Sequence, residues 1–174
     1  APVAAERADV AFLAFSSLTD IPGEAENTIR MFDRPETFAA RTWDALRAQG
    51  IKRIAVVKVE NQYLNTHLAE MKRQARADET VDLVEDVQSF GVKDFRTSIA
   101  KIKASPVKYD AVGVYLGSGQ IGQFYKQLAE QNVTLTTFGT DFFESQSDID
   151  EAGAAINGAF YAHYDVSNEF KTTY

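Results

Sequence analysis

The sequence predicts an α/β fold: a three-layer αβα sandwich built on a mostly parallel sheet. Short apolar runs alternate with amphipathic stretches of helical period along nearly all of the 174 residues. Two of the runs, Arg53–Val59 (RIAVVKV) and residues 111–116 (AVGVYL), are almost continuously apolar, as parallel strands covered on both faces are. Residues 109–141 read as a complete strand–turn–helix–strand unit that ends on an acid, and such units place small-molecule contacts where strands end and helices begin.

Taken in order, residues 10–15 (VAFLAF) form a short buried strand, and residues 16–27 a loop with Asp20, Pro22 and Gly23. Residues 28–32 alternate as a strand. Asp33 is placed to cap the next helix, with Pro35 in its first turn, Glu36 three residues past the cap, and Gly50 as its stop. After the strand Arg53–Val59, a turn at 60–63 leads into a helix running to about Asp78. Residues 81–87 (VDLVEDV) alternate apolar with acidic, the pattern of an edge strand. A helix over 94–103 carries Phe95, Ile99 and Ile102 on one face and is broken by Ser105-Pro106. Then come a strand at 111–116, a helix at 120–131, a strand at 133–138, a helical turn near 147–153 and a last strand at 159–164 (FYAHY after Ala159). The alternation implies right-handed crossovers, with helices on both faces of the sheet.

Composition narrows the function. Hydrophobic residues make up 45% and charged residues 25%, so the chain is globular. A net charge of −7 argues against a nucleic-acid partner, which calls for a basic face. The absence of cysteine excludes a disulfide scaffold, thiolate metal ligands and cysteine nucleophiles. His67 and His163 have no ligand-spaced partner, so core or surface roles are expected of them and no metal or cofactor. No GxSxG nucleophile turn is present. Asp82, Glu85 and Asp86 read as a solvated strand face, and Phe142-Phe143 as core or pocket lining. The chain opens on what reads as the back half of a helix and closes on one just starting, so both ends are expected to lie within a longer chain.

Several segments, in order, carry a resemblance: AERADVAFLAFSS, TIRMFDRPETFAARTWDAL, IKRIAVVKVENQY, VKDFRTSIAKIK, YDAVGVYLGSGQIGQFYKQLAEQNV, TLTTFGTDFF and GAFYAHY. Together they resemble the second lobe of the type I periplasmic binding proteins, in the branched-chain amino-acid branch that serves ABC importers. The resemblance implies three parts: residues 1–32 as the end of the first lobe and the crossover strand, 33–164 as the second lobe, and 165–174 as the start of the return. The chain departs from the family pattern at Leu64, where a glycine usually follows the tyrosine, and at Leu18, where a hydroxyl is expected.

The resemblance implies a non-catalytic, extracytoplasmic solute-binding component, periplasmic or lipid-anchored. It would hold an amino-acid-like or related organic solute between two lobes and hand it to an ABC permease. Six residues are candidates for the ligand wall. Tyr63 follows a strand end and offers a ring to stack and a hydroxyl to donate, or else packs at a helix start. Gly117 permits close backbone approach, while Ser118 either faces the ligand or caps a helix. Asp141 answers to the family acid that neutralises a ligand ammonium, or else caps a loop. Ser16 and Ser17 answer to first-lobe contacts for a carboxylate, or else form an ordinary hydroxyl turn. A homodimer covering the exposed lobe face is a further expectation.

One alternative rests on Gly117-Ser118-Gly119-Gln120-Ile121-Gly122, a formal GxGxxG with Asp141 19 residues past its last glycine, the spacing of an NAD-binding oxidoreductase. Against it, the motif comes late in the strand order, residues 133–138 carry three threonines, and Asp141 falls beyond the strand end.

Overall fold

The computed structural model describes residues 11–15, 28–77, 82–164 and 171–172. The described residues hold six strands: β1 (Phe12–Ala14), β2 (Thr28–Arg30), β3 (Arg53–Val59), β4 (Asp82–Gln88), β5 (Ala111–Tyr115) and β6 (Thr136–Phe138). Between residues 28 and 164 the described residues also hold the α-helices α1 (Pro35–Ala48), α2 (Gln62–Ala77), α3 (Arg96–Ala104), α4 (Ile121–Glu130) and α5 (Gln146–Ala152). Single 3-10 turns flank α5 at Asp141–Glu144 and Gly153–Ile156.

The main sheet has the order β4-β3-β5-β6 and every pairing in it is parallel. Central β3 is buried from its second residue to its last and apolar there except for Lys58, as a strand covered on both faces is. At the edge, β4 alternates in exposure except at Glu85-Asp86, both partly buried, and there the acids take cations instead of forming a solvated face, while Val84 and Val87 are exposed. Asp86 meets Lys101 at 3.1 Å, and Glu85 is paired with Lys72. Among the described residues β1 and β2 pair only with each other, as a two-stranded parallel sheet.

Helical period dictates what packs on this sheet. In α4, Ile121, Phe124, Tyr125 and Leu128 recur at three- and four-residue steps, and all are buried. In α2 the same stripe runs Leu64, His67, Leu68, Met71, Ala75, which puts a histidine inside the core. It also accounts for Leu64 at a position where glycine was expected, because the leucine is a core residue, 1% exposed. No helix among the described residues is long and apolar enough to cross a membrane.

Four sequence expectations are corrected. The strand over 159–164 reduces to one parallel bridge, Phe138 to Phe160. Gly158 takes a positive φ of 87° just before it, and the chain beyond runs as edge-to-face aromatic contacts from Tyr161 through His163 to Tyr164. The strand over 133–138 shortens to β6, because Asn132 turns with φ 53° and only Thr136 onward reaches β5. Asp33 does not cap α1. The helix starts behind Arg34 with no side-chain cap, and the Asp33 amide donates to the Tyr164 hydroxyl at 2.7 Å. Asp141 begins a 3-10 turn instead of lying in open loop.

Candidate ligand-binding site

Because β3, β4, β5 and β6 are parallel, their C-terminal ends share one rim, and the loops that leave them stand side by side. Tyr63 enters this rim in the first turn of α2, just past β3. Asp141 enters it after β6, two strands away across β5. That separation is about 10 Å at the usual strand spacing. The long tyrosine side chain crosses it, and its hydroxyl donates to Asp141 Oδ1 at 2.8 Å. Phe142 lies against the Tyr63 ring, with centroids 5.7 Å apart.

Both partners are half-buried, and their acidity reflects it. Burial raises the Asp141 carboxyl above the ordinary aspartate value and neighbouring Glu144 adds to the rise, while the Tyr63 hydrogen bond opposes it. Burial, then the bond to Asp141, holds the Tyr63 hydroxyl far above the usual phenol range. Beside them Glu144 Oε1 sits 2.6 Å from His163 Nδ1, and Tyr161 packs edge-on to buried Phe143. The result is a wall of rings around one recessed carboxylate. A carboxylate has about four acceptor positions, of which Tyr63 takes one, so Asp141 retains capacity for a donor from a ligand. Such a wall can hold an ammonium or other hydrogen-bond donor above an apolar body.

The glycine turn is organised differently. Gly117 is buried, and its amide donates to Gln120 Oε1 at 3.1 Å. Gln120 also donates from Nε2 to the Val92 carbonyl at 2.9 Å, tying the loop after β4 to the turn. The amides of Gly119 and Gly122 donate to the two oxygens of Asp148, at 2.8 and 2.7 Å. Ser118 is exposed, and the residue that opens α4 is Gln120. The dinucleotide reading is not favoured on this geometry: the amides that would cradle a pyrophosphate already serve a buried carboxylate of the chain itself.

The rim therefore brings together Tyr63 and Asp141, with Gly117 and Ser118 on the loop between them. Ser16 and Ser17, and Leu18 with them, lie outside the described residues. His67 lies in the core, 1% exposed, with Nδ1 2.9 Å from the Tyr115 hydroxyl. Phe143 is core, 4% exposed, and Phe142 faces Tyr63. Among the described residues no group of three or more His, Cys, Asp or Glu could hold a metal ion. Sequence reasoning missed Asp148, Glu144, Tyr161 and Tyr164. Nothing in the local pattern separates Asp148 from Asp150 and Glu151 on the same short helix. The contacts of Tyr164 with Phe32 and Asp33 span more than 130 residues.

A model of the periplasmic binding protein family matches residues 1–170. A search of curated proteins finds no match. Among solved structures, a leucine binding protein from Thermotoga maritima superposes with a TM-score of 0.76 at 18% identity, over 94% of this chain and 47% of that one. An ABC-transporter solute binding protein from R. palustris, in complex with benzoate, does so with 0.63 at 23% identity, over 75% and 36%. A third, from the same organism and in complex with 4-hydroxybenzoate, gives 0.63 at 13% identity, over 75% and 36%. The chain thus spans less than half the length of these structures. At these identities the likeness is one of fold: an α/β lobe of the type I kind. With the family match running over nearly its whole length, the chain belongs to the periplasmic binding protein family.

Proposed function

We propose that this chain supplies one wall of a closing cleft that captures a small organic solute without transforming it, as the extracytoplasmic solute-binding component of an ABC importer. The observation that carries the reading is the Tyr63–Asp141 bond, which sets a recessed acid among aromatic rings at the C-terminal rim of the sheet. An acid in that setting favours a ligand with an ammonium or other donor head, an amino acid or a close relative, over one that presents a carboxylate to the same wall. Leucine is the ligand that the Thermotoga maritima relative is named for, and it has such a head; benzoate does not.

Two observations support division of the chain into lobes near residues 32 and 164. Asp33 and Tyr164 meet through a hydrogen bond, with Phe32 and Phe38 packed edge-on against the Tyr164 ring. Both ends of the segment thus leave at one place, as closure about a hinge requires. The separate β1–β2 sheet leaves Leu13 53% and Ile29 55% exposed, an apolar face suited to further cover by a first lobe. An ABC permease is the proposed downstream partner, and a homodimer of the lobe through this face is the alternative cover.

Calorimetry on the complete protein tests the reading with leucine as probe and benzoate as comparison. Leucine is expected to bind. Asp141→Asn is expected to weaken it at least several-fold, since a hydrogen bond to a charged group contributes about 1.5–3 kcal/mol. Unchanged affinity in that variant removes Asp141 from the site.

A further inference from the structure

The turn 117–122 has the letters of a phosphate cradle, and four of its amides are already engaged from within. Gly117 donates to Gln120 Oε1, Gln120 to the Gly117 carbonyl, and Gly119 and Gly122 to Asp148 Oδ2 and Oδ1. Asp148 comes from a different helix, α5, and is 1% exposed. Its carboxylate takes up the place at the start of α4 where an external anion would sit, and completes it with one oxygen per glycine amide. The packing that brings it there is tight. A Cβ at Gly122 would lie 2.8 Å from both the Asp148 carbonyl oxygen and Glu151 Cβ. Glu151 is itself paired with Gln123, so a second acid borders the same turn.

We propose that Asp148 is a specificity-determining residue: an internal anion that fills the cradle of the glycine turn and denies this wall to carboxylate and phosphate groups. This rests on the reading of the rim as a ligand wall and narrows it. With Asp141 and Asp148 both directed at the strand-end loops, the wall takes the neutral or cationic part of a solute. Any anionic group on that solute is held away from these loops. Asp148 acts by occupying amides and by fixing the turn, so it is a positioning residue that need not touch the ligand.

The test uses amide NMR on the complete protein, with inorganic phosphate and sodium benzoate as probes. In the wild type the Gly119 and Gly122 amide resonances are expected to stay put as either anion is added. In Asp148→Asn the charge is gone and one amide loses its acceptor. Those resonances are then expected to move saturably with phosphate, with a dissociation constant at least about tenfold below any wild-type value, as restored charge pairing at a helix N-terminus implies. Saturable wild-type movement overturns the proposal, and so does a folded Asp148→Asn protein that gains no phosphate binding. If that variant does not fold, the wild-type titration decides alone: still resonances sustain the proposal and moving ones end it. A leucine titration of Asp141→Asn separates the two ideas, because that variant bears on the rim reading and leaves the bonds from the Gly119 and Gly122 amides to Asp148 in place.

Discussion

His67 makes the protein sensitive to acid in a way that its sequence position alone does not suggest. Its ring is 1% exposed within the apolar stripe of α2; Nδ1 contacts the Tyr115 hydroxyl at 2.9 Å, and Nε2 is buried with no hydrogen-bond partner among the described residues. An imidazolium needs an acceptor at each nitrogen, and the core offers none at Nε2. Burial accordingly pushes the folded pKa down from 6.5 to about 4. The unfolded chain takes up the proton near its ordinary value, so between those two pH values the unfolded state binds more protons. This contribution to stability is intact above about pH 6.5 and is lost progressively as the pH falls toward 4. Integrating from pH 7 to pH 5 with those two values gives a loss of about 2 kcal/mol. Asp141, with its raised pKa, works in the opposite direction, so the measurement must isolate His67. His67→Gln does so, because glutamine suits a helix and its amide can still meet the Tyr115 hydroxyl. Urea unfolding of both proteins at pH 7 and pH 5 is the assay. The wild type is expected to lose about 2 kcal/mol more than the variant over that interval. Parallel losses in the two proteins refute the assignment of a neutral, proton-excluding core histidine.

Two further substitutions probe the close packing beneath the rim. Gly139→Ala sets a methyl group 2.5 Å from the Phe143 ring and 2.8 Å from the Val114 carbonyl oxygen. Backbone on one side and a core ring on the other leave no easy relaxation, so urea unfolding is expected to show a loss of about 1–3 kcal/mol. Because Gly139 lies two residues before Asp141, leucine affinity should fall with it. Thr137→Val removes the acceptor of the buried Tyr125 hydroxyl, bonded at 2.9 Å. The expected cost is about 1–3 kcal/mol in the same assay, and Thr137→Ser, which keeps the acceptor, should recover most of it.

Where the chain obeys a single period, its fold is legible. The run of β3 has the bounds that the pattern implies, and β4 stays partly exposed along its length because it has a neighbour on one side only, although its alternation slips at Glu85-Asp86. The last strand misleads because FYAHY alternates aromatic residues for another reason. Tyr161, His163 and Tyr164 contact one another edge to face and reach across to Phe32, which no local pattern encodes. The threonines of residues 133–138 do not keep the end of that segment out of the sheet. Thr137 belongs to a buried strand because its hydroxyl is paired with Tyr125, and polar character in sequence does not register that partner. The two strongest site candidates, Tyr63 and Asp141, were separately legible as strand-end residues. Their joining 78 positions apart was not, since it depends on β5 lying between their strands.

The glycine turn shows how one string of letters can serve opposite ends. Its middle glycine, Gly119, has φ 81°, and its third, Gly122, admits a close neighbour, two needs shared with dinucleotide sites. What differs is the neighbour. In a dinucleotide site the bare backbone is approached by a pyrophosphate; here it is approached by α5, which delivers a carboxylate of nearly the same hydrogen-bonding shape. Both arrangements satisfy the free amides at the start of a helix, and both place negative charge at its positive end. Backbone chemistry at this turn therefore favours an anion at the Gly119 and Gly122 amides, and leaves open whether the chain or a ligand provides it. The choice is made 26 residues downstream, at Asp148, by a side chain that a motif ending at Gly122 cannot contain.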